Sequence, residues 1–184
     1  MRSRSALLSA AATAASLAAL LAPGRAEAFE RQWHAGASFG YALLADSGSY
    51  PGFGGRLHGA YGITDAVNAV VEFDMATHPG GNYLVLGGSA GATYVIDILQ
   101  WVPYVGLEAG AYDLMLAGTC GGKGEPSCHS TKLGVAVPFG VDYTVTRSFA
   151  LGLAGKYTLL FPGEEPPFGG YFTLYARAEL IWGY

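Results

Sequence analysis

The 184-residue chain is poor in charge and, after residue 28, has no long apolar run. Asp, Glu, Lys and Arg make up 13% of the residues, against about a quarter in an ordinary soluble domain. The formal net charge of −4 argues against nucleic acid as a partner. A membrane-spanning helix needs roughly 18 to 20 consecutive apolar residues, and no segment after residue 28 supplies them. The composition therefore argues against both a typical soluble domain and a helical membrane protein.

The first 28 residues have the composition of a secretory signal peptide. Arg2 and Arg4 precede an uncharged, Ala- and Leu-rich run over residues 5–22, and an Ala-Glu-Ala triplet ends at residue 28. A basic start, an apolar centre and a small-x-small end are the three parts of such a signal. A transmembrane helix is the weaker alternative, because most of the run is alanine. We predict cleavage after residue 28, which leaves residues 29–184 as one domain.

Residues 29–184 alternate between apolar side chains and polar or small ones. In the last segment every second residue from Phe172 to Tyr184 is apolar, and the opposite set holds the charged Arg177 and Glu179. A period of two indicates a β-strand with two unlike faces. The same pattern predicts eight strands, over residues 31–42, 53–63, 68–75, 83–96, 103–112, 133–143, 149–161 and 170–184.

Apart from Arg31, the first residue of the first segment, the charged residues of these eight segments all fall on one of the two faces. They are Arg56, Glu72, Asp74, Glu108, Asp142, Lys156, Arg177 and Glu179. This face also carries His34 and His58 and many Gly, Ala and Ser residues, whereas the other face is apolar. A water-soluble eight-stranded barrel would turn its charged face outward. Small residues beside the charges suit a narrow interior, so we predict an all-β, eight-stranded antiparallel up-and-down transmembrane β-barrel with its apolar face toward lipid.

Short and long connections alternate between the predicted strands. The short links cover residues 64–67, 97–102 and 144–148, and the longer ones cover 43–52, 76–82, 113–132 and 162–169. Short turns at one rim and longer loops at the other are typical of outer-membrane barrels whose termini are both periplasmic. Aromatic residues cluster at the strand ends, so we expect a girdle at each rim. The turn-side set is Trp33, Tyr61, Tyr94, Trp101, Tyr143, Phe149, Trp182 and Tyr184, and the loop-side set is Tyr41, Phe53, Tyr83, Phe161 and Phe168.

Taken together, the strands, the connections and the terminal aromatic strand resemble the small eight-stranded outer-membrane barrels, OmpA-like or OmpW-like. The resemblance is architectural and covers residues 29–184. It implies an outer-membrane protein in contact with lipid, and in this family the C-terminal aromatic strand is read by the barrel-assembly machinery. That signal would fall on Leu180, Trp182 and Tyr184. We expect a monomer without a cofactor or a metal, and no peptidoglycan-binding domain of the kind found in full-length OmpA.

The inward charges are predicted to form a polar network in the lumen. An eight-stranded barrel is only wide enough for its side chains to fill, and each unpaired buried charge would cost several kcal/mol. A turn centred near Asp65 would place Arg56 opposite Asp74 and His58 opposite Glu72. The other members of the predicted network are Glu108, Asp142, Lys156, Arg177 and Glu179.

The two cysteines, Cys120 and Cys128, both fall in the connection 113–132. In an exported loop we predict that they form a disulfide closing a small surface lobe. A metal site is the weaker alternative, because the two thiols and His129 lack a fourth ligand.

Catalysis is the other alternative for this connection, because some outer-membrane barrels that deacylate lipid A use His, Ser and Glu. His129, Ser130 and Glu125 occur together here. Adjacent side chains of an extended segment point in opposite directions, which opposes proton transfer between His129 and Ser130. We therefore predict that the protein is not an enzyme.

The sequence thus predicts an outer-membrane barrel with a structural or surface-interaction role and a lumen plugged by polar side chains. The alternative is a transporter or narrow channel for small or hydrophobic solutes, as OmpW-like barrels are thought to be. A packed lumen would favour the first function, and a continuous apolar funnel would favour the second.

Overall fold

The computed structural model describes residues 31–45, 48–117, 127–161 and 169–183, with only the backbone of residues 117, 127 and 128. Eight strands account for most of them: β1 Trp33–Ala45, β2 Ser49–Thr64, β3 Val67–His78, β4 Tyr83–Val95, β5 Trp101–Ala117, β6 Ser127–Thr146, β7 Phe149–Leu160 and β8 Gly169–Trp182. A short 3-10 turn, Pro79–Gly81, connects β3 to β4. Within these described ranges no helix is long and apolar enough to cross a membrane.

The eight strands form a closed antiparallel barrel in which each strand pairs with its neighbours in sequence. The barrel closes between β1 and β8, where Trp33 lies opposite Trp182 and Ala35 opposite Leu180. Closure pairs both sides of every strand, which a sheet surrounded by lipid requires. The predicted fold class is therefore confirmed. Tyr184, the last residue of the predicted assembly signal, lies outside the described residues.

The two faces of the barrel wall are as unlike as the sequence predicted. Outward side chains are apolar and exposed, for example Phe39 at 63% and Leu133 at 66%. Inward charged side chains are buried, with Asp74 and Lys156 at 0% exposure. An apolar exterior around a polar interior is the reverse of a soluble barrel and fits a barrel that spans a membrane.

The longest connections, of nine residues between β5 and β6 and of eight between β7 and β8, lie at one rim, and the connections at the other rim have at most five residues. We call the ends of the strands joined by residues 65–66, 96–100 and 147–148 the turn-side rim, and the opposite ends the loop-side rim. At the turn-side rim, the rings of Trp33 and Tyr61 are tilted against each other with centroids 4.7 Å apart, and those of Trp101 and Tyr143 meet edge-on with centroids 4.9 Å apart. These pairs belong to the predicted turn-side girdle, whose role at a membrane interface stays a prediction.

The predicted connection 113–132 was too long, because β5 and β6 take up most of it. Their pairing continues to Ala117 and Ser127, with Met115 opposite His129. Likewise β1 extends to Ala45 and β2 begins at Ser49, so the predicted connection 43–52 is also shorter. Strict alternation is imposed only where one face meets an apolar environment. Toward the loop-side rim this requirement ends, and strands continue there without the pattern that reveals them.

The strand extension also corrects the prediction that the outer face carries no charge. Tyr112 and Leu114 are buried inside the barrel, and Asp113 between them lies on the opposite face because successive side chains alternate. His129 Nδ1 lies 3.3 Å from Asp113 Oδ2. The outer surface of the β5–β6 hairpin is therefore polar near the loop-side rim.

Candidate functional site: the barrel lumen

Lys156 on β7 is the centre of a buried charged cluster. Its Nζ lies 2.6 Å from Asp74 Oδ2, 2.7 Å from Glu72 Oε2 and 3.4 Å from Glu108 Oε2. It also donates to Ser89 Oγ at 3.2 Å, and this hydroxyl donates to Glu108 Oε2 at 2.8 Å. A single ammonium group thus ties β7 to β3, β4 and β5 across the lumen.

Arg56 on β2 extends this cluster to β8. Its Nε donates to Asp74 Oδ1 at 2.7 Å and lies 3.2 Å from Glu72 Oε2, while Nη2 donates to Thr173 Oγ1 at 2.7 Å. The guanidinium lies 5.2 Å from the centre of the Tyr175 ring, within range of a cation–π contact. Arg56 and Asp74 are directly opposite in register, as predicted. We call Arg56, Glu72, Asp74, Glu108 and Lys156 the Lys156 cluster.

A second group of charges surrounds Glu179 and lies nearer the turn-side rim. Glu179 Oε1 is 2.8 Å from His34 Nδ1, and Oε2 is 2.8 Å from His58 Nε2. His58 lies opposite Glu72 in register, as predicted. Its ring nevertheless bonds to Glu179 on β8, over Gly36 of the intervening β1, which lies opposite both residues once the barrel is closed. His34, for which the sequence predicted only an inward position, is the other histidine of this group.

Arg177 joins this second group to β5 and β6. Its Nη2 donates to Glu179 Oε2, its Nη1 donates to Tyr104 Oη at 2.9 Å, and its Nε lies 3.6 Å from Asp142 Oδ2. We call His34, His58, Asp142, Arg177 and Glu179 the Glu179 cluster. The nine residues of the predicted polar network are thus divided between two clusters, with His34 as an addition.

Each cluster contains one more carboxylate than cation when the histidines are neutral. In the Lys156 cluster three carboxylates share two cations, and in the Glu179 cluster two carboxylates share Arg177. Removing one partner of a buried ion pair leaves an uncompensated charge, which typically costs about 3–5 kcal/mol. With carboxylates already in excess, the three cations are the residues whose loss would be hardest to compensate.

An apolar layer that the sequence reasoning missed fills the lumen at the loop-side rim. It consists of Ala42, Leu44, Ala76, Val85, Tyr112, Leu114, Leu160 and Tyr171. The rings of Tyr112 and Tyr171 meet with centroids 6.2 Å apart in an edge-on contact. We call these eight residues the apolar plug. Leu44 and Leu114 lie in segments that the sequence predicts to be loops, where no inward or outward face is assigned. Their positions in the alternating pattern are the one signal that could place them in the lumen.

A small cavity lies inside the turn-side half of the barrel. Its volume is about 30 Å³, and its lining includes Asn68, Val95, Val102 and the carboxylates of Asp142 and Glu179. This is room for about one or two water molecules. Val95 and Val102 are themselves buried and pack against Tyr104. From rim to rim, the described lumen therefore holds the apolar plug, the Lys156 cluster and the Glu179 cluster with its small cavity.

Comparison with known proteins assigns the architecture. No protein-family model and no curated protein sequence matches the chain. The solved structures that match it include Neisserial surface protein A (NspA), with a TM-score of 0.68 and 19% identity over 83% of this chain and 97% of that one. They also include Ail of Yersinia pestis (TM-score 0.60, 14% identity, 84% of this chain and 100% of that one) and OprG of Pseudomonas aeruginosa (TM-score 0.58, 10% identity, 85% and 98%). This chain has the fold of the small eight-stranded outer-membrane barrels. At these identities the likeness establishes the fold and assigns no function.

Glycines on the inner wall of this outer-membrane barrel fold make room for the lumenal rings. A Cβ at Gly36 would meet the His58 ring and the Ala178 carbonyl, and a Cβ at Gly87 would meet the Tyr112 ring. The high glycine content that the sequence showed therefore serves packing in both the Glu179 cluster and the apolar plug.

The remaining predicted candidates lie in or beside the β5–β6 connection. Cys128 is in β6 with its backbone opposite Leu116, and Cys120 lies outside the described residues, so the disulfide stays a prediction. Glu125 also lies outside them. His129 is exposed and pairs with Asp113. Among the described residues no group of three or more His, Cys, Asp or Glu side chains is arranged to hold a metal ion.

Proposed function

We propose that the protein is an integral barrel of the bacterial outer membrane with a structural or surface-interaction role and no catalytic activity. The apolar exterior of the barrel wall and the buried charges support insertion in lipid. The common fold with NspA, Ail and OprG, all outer-membrane barrels, supports the outer membrane as the site. Residues 1–28 would direct export, and both termini would lie on the periplasmic side.

The packed lumen is the observation that carries the structural role. Eight strands enclose a space just wide enough for side chains, and here two charged clusters and the apolar plug occupy it. The 30 Å³ cavity near the Glu179 cluster is far smaller than the roughly 300–1,000 Å³ of typical ligand pockets. A barrel filled in this way would act through its outer surface and its connections and would not conduct.

The β5–β6 hairpin supports a surface-interaction role. It is built from the two longest strands, and its outer face carries Asp113 and His129 close to the loop-side rim. Ail, which has the same fold, is named the attachment invasion locus protein, and one structure shows it in complex with the heparin analogue sucrose octasulfate. For the present chain we propose only the general role, contact with molecules outside the cell.

Planar-bilayer recording tests the closed lumen. The refolded wild-type protein should show no steady conductance, while a heat-dependent shift in its electrophoretic mobility verifies that the barrel is folded and inserted. The double variant Tyr112→Ala, Tyr171→Ala removes the two largest rings of the apolar plug and should show a higher conductance than the wild type. A stable, ohmic, ion-selective channel in the wild type would refute the closed lumen and favour a channel.

Transport of small hydrophobic solutes is the second candidate function. The apolar plug favours it, because an apolar layer at the loop-side rim could accept such a solute if the rings of Tyr112 and Tyr171 moved aside. The charged clusters beneath the plug oppose it, because a hydrophobic solute would have to displace ion pairs. Protein-dependent uptake of a hydrophobic dye into liposomes would support transport, and uptake equal to that of empty liposomes would exclude it.

We also propose an assembly signal, a disulfide and a monomeric state for this barrel. Leu180 and Trp182 at the end of β8, together with Tyr184 two residues later in the sequence, would form the signal that the barrel-assembly machinery reads. Cys120 and Cys128 would form a disulfide in the oxidising environment outside the inner membrane. The barrel would be a monomer, because its closed sheet leaves no strand edge for a second copy to pair with.

A further inference from the structure

The turn between β4 and β5 differs from the other two connections of the turn-side rim. Over residues 96–101 it exposes four apolar side chains, namely Ile96, Ile98, Leu99 and Trp101. The β2–β3 and β6–β7 turns are polar instead. In them Thr64 Oγ1 accepts the Val67 N–H at 3.1 Å, and Thr146 Oγ1 accepts the Ser148 N–H at 3.3 Å. One of the three turns thus exposes four apolar side chains, beside the exposed Asp97 and Gln100.

Leu99 at the tip of this turn is held in a conformation that normally favours glycine. Ile98 and Trp101 exchange two backbone hydrogen bonds of 3.0 Å, so that Leu99 and Gln100 are the central residues of the turn. Leu99 has φ 60°, in the left-handed region that other residues rarely occupy. Glycine is the usual residue at such a position of a two-residue hairpin turn. A leucine there is 93% exposed and gains no packing in the barrel to offset the strain.

The turn is also fixed to the neighbouring strand. Gln100 O accepts the Thr144 N–H at 2.8 Å, and Gln100 Oε1 accepts the Tyr143 hydroxyl at 2.8 Å. The Trp101 and Tyr143 rings meet edge-on with centroids 4.9 Å apart. Two strands and an aromatic pair therefore hold the tip in one orientation.

The outer face of β4 continues without interruption into this turn. Tyr94, Ile96 and Ile98 are alternate residues, are all about half exposed and extend the apolar outer face beyond the end of the strand. On β2 and β6 the outer face ends at Ile63 and Val145, and polar residues follow at once. Apolar surface continuous with a lipid-facing wall indicates what covers it, namely the same lipid.

We propose that the β4–β5 turn is a membrane anchor in which Ile98 and Leu99 insert into the lipid head-group region at the turn-side rim. Trp101 and Tyr143 lie beside them and supply aromatic rings of the kind that prefer this depth. The barrel would accordingly sit deeper in the leaflet at β4–β5 than at the two polar turns. The proposal rests on the proposed insertion of the barrel in the outer membrane.

Methyl NMR of the protein in lipid nanodiscs tests the anchor. The paramagnetic relaxation enhancement of each methyl group is measured with a gadolinium chelate attached to lipid head groups and, separately, with a soluble chelate. The Leu99 methyl signals are identified as those that disappear in the variant Leu99→Val. The ratio of lipid-borne to soluble enhancement should be at least about threefold higher for Leu99 than for the Thr146 methyl in the polar β6–β7 turn. Equal ratios, or protection of Leu99 from both chelates, would overturn the anchor, and the second result would indicate a contact with protein.

Leu107, at the middle of the outer wall, is a control that distinguishes failure of the anchor from failure of membrane insertion, on which the anchor rests. Its methyls should be shielded from the soluble chelate, and full access there would refute membrane insertion itself. With Leu107 shielded, an outcome unfavourable to Leu99 refutes the anchor alone. The variant Leu99→Asn keeps a residue that tolerates positive φ but removes the apolar group. In it the lipid-borne enhancement at Ile98 should fall about twofold, and no change at Ile98 would also count against the anchor.

Discussion

The two halves of the lumen are filled by opposite chemistry. At the loop-side rim the apolar plug packs leucine and tyrosine side chains against one another, whereas the middle and the turn-side half hold eight charged residues and two histidines. Apolar packing is non-directional, so each side chain contributes roughly in proportion to its buried area. Buried charges depend on specific partners, so the loss of one affects all the others. The halves should therefore respond differently to substitution.

The largest effect is expected in the charged half, from Lys156→Met. The substitution nearly conserves volume but leaves Glu72, Asp74 and Glu108 without their shared ammonium group. We expect the free energy of unfolding to fall by about 3–5 kcal/mol, measured by urea titration in lipid vesicles. Arg147→Ala in the exposed β6–β7 turn is the matched control and should change it by less than about 0.5 kcal/mol. A loss below about 1 kcal/mol for Lys156→Met would show that the carboxylates find other compensation.

A smaller effect is expected in the apolar half, from Leu160→Ala. Leu160 is fully buried in the apolar plug, and truncation of a buried leucine costs about 2–5 kcal/mol through lost contacts and the cavity that remains. The same truncation at Leu107, on the outer wall, should cost less than about 1 kcal/mol, because lipid fills the space. If both variants unfold alike, the plug is loosely packed and the transport function gains support.

A double-mutant cycle between Arg56 and Asp74 tests whether the charged half of the lumen is more cooperative than the apolar half. Their side chains meet at 2.7 Å inside a shared network, so the two substitutions to alanine should be non-additive by about 1–3 kcal/mol. Leu44→Ala with Leu160→Ala in the plug provides the comparison, with a coupling of less than about 1 kcal/mol. Equal couplings in the two pairs would contradict the view that charge makes one half cooperative.

The smallest effect is expected from reduction of the predicted disulfide. If Cys120 and Cys128 are joined, the exported protein should react with a thiol reagent only after reduction. Reduction should leave the heat-modifiable mobility of the barrel unchanged, because none of the residues of the apolar plug or of the two charged clusters is a cysteine. Complete alkylation without a reductant would exclude the disulfide, and unfolding on reduction would show that the bridge supports the barrel.

The alternating pattern was sufficient to predict which residues of the barrel wall face inward and which face outward. Period two assigned an inward and an outward face to all eight strands, and the short connection at Asp65 set the register that places Arg56 opposite Asp74. Both results depend on local rules, since a strand has only two faces and a tight turn allows few registers. Where lipid no longer imposes alternation, as in β5 beyond Tyr112, the same rules underestimated the strand.

Contacts across the lumen were decided only by the tertiary structure. Lys156 on β7 meets Glu72 on the opposite side of the barrel, on β3, and Glu179 on β8 meets His58 on β2 over the intervening β1. Strand pairing determines which residues are adjacent in the wall, but the curvature and closure of the barrel determine which side chains meet through its centre. The apolar plug depends on the same closure, because Leu44, Leu114, Leu160 and Tyr171 come from four strands and form a layer only once the barrel is closed. The sequence by itself determined the class of barrel and the chemistry of each face, and closure decided how that chemistry is divided along the lumen.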